Sequence, residues 1–587
     1  MCGIIGYCGA REAQPVLLNG LARLEYRGYD SCGIAIANDT LAVYKDAVRV
    51  HQLKQRLEKH GGTRGIGHTR WATHGERNKV NAHPQTDCHG RIAVVHNGVI
   101  NNFQELRDRL EAAGHTLVSE TDTEVLPHLI ETYYEGDFMA AVERAIGDIR
   151  GAYTMIAVMG GDPGLVVARR DSPLIVGIGD GENFVASDVT ALLDYTSRVI
   201  YLEDDDVAHV TAFSVTVRHY GEPVARTEHK VQWTVEDAQK GGYEHFMLKE
   251  IHEQPRVIRD TLGGYFTEGE EDVRAGNADG LLIVGCGTSY HAGLLGKYLF
   301  ERLAGQPVRV EHADEFVYSG KVAPREQVLA ISQSGETLDV LKAVRSLKDA
   351  GGQVTAITNV VGSTLSRVAD SVLYTRAGPE TSVAATKTYL AQLIALYWLS
   401  ILRGDIGQRD TWLAGLRQLP GKVQKVLDDH AAIRSAAVKL SKYENLFFVG
   451  KGLNHPVALE GALKMKEISY AHAEGYAAGE LKHGPFALLG EHMPVVAIMA
   501  PDNTYEPMVT SLKEIKARHS FVVALASADD STVAGLADLV ITVPSVAPLF
   551  TPVVNTVALQ LLAYYSARER GHPIDFPRNL AKTVTVE

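Results

Sequence analysis

Cys2 is the first residue whose type and place could do chemistry. Loss of Met1, expected ahead of a small residue, leaves a single residue carrying both a thiol and a free α-amine. Such an amine titrates near about 7.7–8.0, close enough to neutrality to serve the adjacent thiol as general base. A second cluster, His68-Thr69-Arg70-Trp71-Ala72-Thr73-His74-Gly75, gathers polar groups in what reads as a loop, and Arg70 offers a planar fork for a carboxylate. Asn97-Gly98 follows the apolar run Ile92–Val95. A side-chain amide beside a glycine N–H suits the oxyanion of amide cleavage, although the same dipeptide is also an ordinary hairpin turn. Asp122 could hold a substrate ammonium. Alternatively it is only a first-turn acid of a helix opened by the capping box Thr121-x-x-Glu124.

The second half carries a different chemistry. Gly285-Cys286-Gly287-Thr288-Ser289-Tyr290 lacks the third glycine of a dinucleotide fingerprint and the G-K-[ST] of a P-loop. It offers N–H groups and hydroxyls at a helix start, which suits an anion. Ser332-Gln333-Ser334-Gly335-Glu336-Thr337 repeats that design after the next strand, where two such motifs at the carboxyl ends of parallel strands point to a ligand phosphate. Simple N-capping is the alternative for either motif alone. Glu460, Lys464 and Glu467 fall at i, i+4 and i+7 of one helix and share a face. They are either a solvated salt bridge or the acid–base set that moves a proton between neighbouring carbons. His483, in Glu480-Leu481-Lys482-His483-Gly484-Pro485, is placed to assist ring opening.

These groups need elements to hold them. Residues 1–236 read as short strands with a few helices, beginning with a strand from Gly3 to Tyr7, and 237–242 as a polar linker. From 243 the texture becomes strand–helix alternation: LLIVG, QVLAI and QVTAIT, then NLFFVG, PVVAIM and FVVALA. Gly285-x-Gly287 and Gly450-x-Gly452 each follow a buried-type strand, which predicts a duplicated doubly wound parallel-sheet domain over 243–425 and 426–573. The second copy has Ala500-Pro501-Asp502-Asn503 where the first has its hydroxyls, so one phosphate site per chain is expected. Residues 574–587 read as an ordered tail.

A chain of 587 residues requires several domains, and a net charge of −13 advertises neither a nucleic-acid nor an anionic-membrane surface. The apolar stretch Tyr389 to Leu402 is too short to span a bilayer and reads as a buried helix. No signal peptide is visible. Five cysteines without a C-x-x-C pair favour a reducing, cytoplasmic setting. Cys88 lies near His83 and His89 without recognised ligand spacing, so no metal is expected.

Cys2-Gly3-Ile4, Tyr26-Arg27-Gly28-Tyr29-Asp30-Ser31, HTRWATHG, HNG and SETDTE resemble, in that order, an N-terminal-nucleophile glutaminase domain of αββα layers. With GCGTS, SQSGET, EGALKMKEISY, ELKHGP and PRNLAK, which resemble sugar-isomerase (SIS) domains, the likeness extends over essentially the whole chain. The family it implies is glutamine–fructose-6-phosphate aminotransferase (isomerising), of bacterial type. The resemblance makes Cys2 the nucleophile and Asn97 with Gly98 the oxyanion site. Arg70 and Asp122 would clamp the glutamine head group, with Thr73 and His74 nearby, Arg27 as structural support and Trp71 gating the ammonia path. Thr288, Ser289, Ser332, Gln333, Ser334 and Thr337 would hold the sugar phosphate. Glu467 would be the isomerising base assisted by Lys464, His483 would act in ring opening across a dimer interface, and Lys582 of the tail would form a Schiff base with the ketose. Glutamine and fructose 6-phosphate are the implied substrates, with no cofactor and a homodimeric state. One departure is Ala385, where many members carry serine. Two rival readings stay open, an amidotransferase with a phosphoribosyl acceptor and a non-catalytic sugar-phosphate sensor.

Overall fold

The computed structural model describes residues 2–71, 75–231, 233, 239–268, 280–319, 321, 326–528 and 530–584. They form two compact units, Met1–Ala238 with Ala581–Glu587, and Gln239–Leu580.

The first unit is built on strand alternation. In Gly3–Cys8, Ile4 faces one side and Ile5 the other, and in Ile92–Ile100 the pairs Ile92/Val94 and Ala93/Val95 divide in the same way. One set of faces, including Ile4, Val95, Ile156, Leu165 and Val185, forms the core between two sheets. Their opposite faces carry helices. Ala13–Leu24 covers Ile5, Ile34 and Phe184, while Phe103–Ala112, Val125–Tyr133 and Phe138–Gly147 cover Ile92, Val94 and Met155. The result is the expected αββα layering. In the eight-stranded sheet Gly3–Cys8 is flanked by Arg64–Arg70 and Asn183–Ala186, both antiparallel, so Cys2 adjoins an interior strand. Two local expectations fail here. The Ile92 strand runs on through Asn97 and Gly98 to Ile100, pairing them with Thr154 and Tyr153, so no hairpin turn forms. His68, Thr69 and Arg70 end a strand, and the loop starts only at Trp71.

The second unit holds two five-stranded parallel sheets of identical order. One runs Val308–His312, Gly280–Gly285, Glu326–Ile331, Val354–Thr358, Ser371–Tyr374. The other runs His472–Ala477, Asn445–Gly450, Val495–Ile498, Val522–Ser527, Leu539–Val543. The duplication is therefore real at the level of topology. Reading the sequence located the three inner strands of each sheet, whose apolar runs are buried on both faces. It passed over the edge strands, such as His472–Ala477, which carry polar residues. Lys387–Arg403, the predicted buried helix, is enclosed on every side from Lys387 to Leu402, and Thr551–Glu569 is likewise buried over most of its length. Both belong to one apolar core shared by the two sheets.

Candidate active site

The Cys2 carbonyl accepts hydrogen bonds from Asn97 Nδ2 at 3.0 Å and Arg27 Nε at 3.4 Å, and Cys2 Sγ accepts one from the Trp71 N–H at 3.2 Å. The Gly3 N–H donates to Thr69 Oγ1 at 3.2 Å, fixing the residue that follows the thiol. Burial pushes the Cys2 thiol above its ordinary pKa, so the thiolate is not preformed and attack needs a proton acceptor. Arg70 and Asp122 are both buried, and the charges of both reach the Cys2 sulfur. Arg70 donates to the carbonyls of Gly75 at 3.3 Å and Glu76 at 3.4 Å, while Asp122 accepts from the Ile100 N–H at 2.9 Å. Trp71 packs edge-on against Tyr29, with ring centroids 5.7 Å apart.

Gly98 is held at φ +133°, and a Cβ there would lie 2.0 Å from the Ala152 carbonyl oxygen. Only glycine fits this position. The capping box expected at Thr121 and Glu124 does not form. The Glu124 carboxylate instead accepts from the N–H groups of Val118 at 2.8 Å and Ser119 at 2.6 Å, because the preceding segment folds back over it. Thr73 and His74 lie outside the described residues.

Sequence reading overlooked Asp188. It receives Tyr26 Oη at 2.6 Å and Arg27 at 3.1 Å, while Ser187 Oγ accepts the Ile4 N–H at 3.0 Å. The available signal was the polar pair Ser187-Asp188 that follows the strand Asn183–Ala186.

In the second unit the helix His455–Ser469 buries charge alongside Val457, Ala458, Met465 and Ile468. Glu460 and Lys464 are 2% and 1% exposed, whereas Leu459 and Leu463 are half-buried. A solvated salt bridge is therefore excluded. Lys464 Nζ lies 3.3 Å from Glu460 and 2.5 Å from Glu467, and it donates to Thr288 Oγ1 at 3.1 Å. Thr288 in turn donates to Glu460 at 3.1 Å, and His291 Nδ1 meets the other Glu460 oxygen at 2.8 Å. Burial alone would lower the Lys464 pKa, but the two carboxylates hold it up at about 12. Lys464 is thus a fixed cation and not a base. His291 is the residue sequence reading missed, and its place three positions after Thr288, on the same helix face, was the available signal.

Gly280–Gly285 and Glu326–Ile331 are parallel neighbours, so the Thr288 and Ser332–Thr337 segments leave adjacent strand ends. Gly335 is held at φ +66° against Ser363. Its N–H donates to Ser332 Oγ at 3.1 Å, Ser332 and Thr337 hydroxyls lie 2.9 Å apart, and Ser334 Oγ accepts the Glu336 N–H at 3.1 Å. Thr337 precedes the helix Leu338–Asp349 without a side-chain cap bond, so N-capping does not account for its hydroxyl. Gln333 meets the strand after it through its carbonyl, which accepts the Asn359 N–H at 3.0 Å. Ser289 Oγ accepts from Gln392 at 3.1 Å. In the second copy Asp502 occupies the corresponding strand end and accepts from the Thr504 N–H and hydroxyl, at 2.8 and 2.6 Å.

Two predicted residues stand apart from this cluster. His483 is exposed, in the short turn Glu480–His483. Lys582 is half-buried and belongs to the segment grouped with the first unit.

The sequence model of the glutamine amidotransferase domain matches residues 68–194, and that of the SIS domain matches 277–402 and 439–569. With the two-sheet layer and the twin parallel sheets, these matches define a glutamine amidotransferase joined to a pair of SIS domains. Similar proteins named glutamine–fructose-6-phosphate aminotransferase [isomerizing] occur in Caldanaerobacter subterraneus subsp. tengcongensis, 46% identical over 610 residues, and in Thermus thermophilus, 47% identical over 604. In both comparisons all of this chain and all of the relative are covered. The chain belongs to the glutamine–fructose-6-phosphate aminotransferase (isomerizing) family. Among solved structures, the C-terminal domain of glucosamine-fructose-6-phosphate aminotransferase from Francisella tularensis is similar, with a TM-score of 0.55 and 35% identity over 58% of this chain and 100% of that one.

Proposed function

We propose that this chain hydrolyses glutamine to glutamate and transfers the ammonia to fructose 6-phosphate, isomerising it to glucosamine 6-phosphate, the entry step of amino-sugar synthesis. The observation that carries this reading is the buried Lys464 clasped by Glu460, Glu467 and Thr288 in a chain that also fixes Cys2 beside Asn97 and Trp71. A sensor needs neither, and a phosphoribosyl acceptor gives no task to a carboxylate–lysine helix.

In this reading Cys2 Sγ adds to the glutamine amide carbon after passing its proton to the α-amine freed by loss of Met1. Asn97 Nδ2 and the Gly98 N–H receive the oxyanion. Arg70 faces the substrate carboxylate and Asp122 its ammonium, with Thr73 and His74 beside them. Ammonia departs past Trp71, and water cleaves the thioester to give glutamate. Ser289, Ser332, Gln333, Ser334 and Thr337 hold the sugar phosphate with Thr288 at the edge. Ammonia condenses with the ketose at C2, leaving an imine there and releasing the carbonyl oxygen as water. Glu467 then takes a proton from C1 and returns one to C2 while the Lys464 cation steadies the C1 enolic oxygen. His483 opens the ring, working at an interface between two copies of the chain in the cytoplasm.

The test is an assay that follows glutamate and hexosamine phosphate together, with one of each expected per glutamine consumed. Ser334→Ala combined with Thr337→Val should raise the KM for fructose 6-phosphate and leave that for glutamine unchanged, since hydrogen bonds to a charged group contribute about 1.5–3 kcal/mol. Equal weakening toward both substrates in a folded variant counts against the phosphate assignment.

Lys582 is proposed to form an imine with the ketose. Borohydride added with fructose 6-phosphate should trap a sugar on the peptide carrying Lys582. A mapped adduct on another lysine, or full activity in Lys582→Ala, removes the assignment.

A further inference from the structure

Cys88, His115, His128 and Glu131 follow no recognised metal-ligand spacing, yet three different local structures bring their ligand atoms together, all within 4.8 Å of one another. Cys88 sits in the turn Asp87 to Gly90, which is closed by the Gly90 N–H on the Asp87 carbonyl at 3.2 Å. His115 follows Gly114, whose φ of +95° ends the helix Phe103–Ala112. His128 and Glu131 are one turn apart on Val125–Tyr133.

Five of the six distances among their ligand atoms lie close to the edges of a coordination tetrahedron, and the sixth, between Cys88 and Glu131, is within 4.8 Å. Cys88 Sγ is 3.5 Å from His115 Nδ1 and 3.4 Å from His128 Nδ1. The two Nδ1 atoms are 3.2 Å apart, and Glu131 Oε2 is 3.2 Å from His115 Nδ1 and 3.8 Å from His128 Nδ1. Zinc bonds of about 2.0–2.1 Å to nitrogen or oxygen and about 2.3 Å to sulfur give edges of about 3.3 Å between two nitrogens and about 3.5 Å between nitrogen and sulfur.

Hydrogen bonding around the cluster sets the donors. Thr132 Oγ1 donates to the His128 carbonyl at 2.9 Å, so at 3.2 Å it accepts from His115 Nε2. That leaves the His115 Nδ1 lone pair facing the other three groups, the tautomer a metal requires. The Cys88 N–H donates to Glu131 Oε2 at 3.3 Å, which orients the carboxylate. Thiolate and carboxylate together supply two negative charges, matching a divalent cation.

We propose that Cys88, His115, His128 and Glu131 bind one divalent transition-metal ion of the zinc type, in a closed structural site separate from the Cys2 centre. The expectation of no metal rested on His83 and His89 as the neighbours of Cys88. The fold instead supplies His115 and His128, which sequence spacing could not reveal. With all four positions filled by protein the ion has no open site for chemistry. Its role is to pin Val125–Tyr133, the helix that directly follows Asp122–Glu124.

Cobalt(II) is the probe, titrated into the reduced, chelator-stripped full chain. One ion per chain is expected, with the intense visible bands of tetrahedral cobalt and a thiolate charge-transfer band, both abolished by added zinc. Cys88→Ser alters an exposed side chain and should remove the charge-transfer band and weaken binding at least tenfold. Thr132→Val, which frees the His115 tautomer, should weaken binding about 10–100-fold while keeping that band. Wild-type chain that binds no stoichiometric cobalt, shows only weak six-coordinate absorption, or binds no better than Cys88→Ser overturns the site.

Discussion

Replacing Cys2 by alanine is expected to abolish glutamine-dependent formation of glucosamine 6-phosphate while interconversion of fructose and glucose 6-phosphates persists. The substitution removes one sulfur atom. It leaves the Cys2 carbonyl with its bonds from Asn97 and Arg27, so the surrounding geometry survives. Without a nucleophile the amide cannot form a thioester, and losses of at least about a thousandfold follow when such a group is removed. Glutamate release measured alone, and sugar isomerisation measured without glutamine, separate the two chemistries. Retained glutaminase activity would reject the nucleophile assignment. Parallel loss of isomerisation in a folded variant would reject the division of labour between the units.

The second large effect is expected at Lys464. Lys464→Met keeps the length of the side chain and removes its charge, leaving the buried Glu460 and the part-buried Glu467 without their shared counter-charge. Breaking a buried pair by taking one partner costs about 3–5 kcal/mol, because the remaining charge stays buried. Denaturant unfolding of the Gln239–Leu580 unit should shift by that amount, and isomerisation should be lost with it. Lys464→Arg, which retains the charge, should recover most of the stability and little of the rate.

The pH dependence has a definite sign. The folded-state pKa of Lys464 is raised from 10.5 to about 12, so the stabilisation is fully present below pH 10.5 and disappears as pH climbs through 12. A Lys464→Met variant with unchanged unfolding would mean that the two carboxylates carry protons and that the ion-pair reading is mistaken.

What the sequence made legible follows from which residues carry their information locally. The inner strands, such as Gly280–Gly285 and Val522–Ser527, are buried on both faces over all but one terminal residue and declare themselves as apolar runs. Cys2, Arg70, Asn97 and Asp122 stood out because each side-chain type suits one task of amide cleavage and each sits in a short polar motif. The partners of these groups were not legible. Nothing near Thr288 in the chain announces Glu460, 172 positions away, and nothing near Arg27 announces Asp188. Edge strands were missed because one side meets water and tolerates charge. The failed capping box at Thr121 shows the reverse error, in which a correct local pattern yields to a carboxylate that finds better donors at Val118 and Ser119.

The twin parallel sheets have the same strand order but unequal contents. One supplies the hydroxyl loop at Ser332–Thr337, the other the charged helix at His455–Ser469. Polar links between the copies run from Thr288 and His291 to Glu460 and Lys464, from Tyr397 Oη to the Leu549 carbonyl and from Gln560 Nε2 to the Thr386 carbonyl. In evolutionary terms the copies are no longer interchangeable, and because they share one apolar core neither can drift on its own. Exchange of the second copy between relatives should be tolerated only when positions 288, 291, 460 and 464 are inherited as a set and the shared core still fits. A recombinant that mixes those four carries a lysine without its counter-charges or a glutamate without its donors.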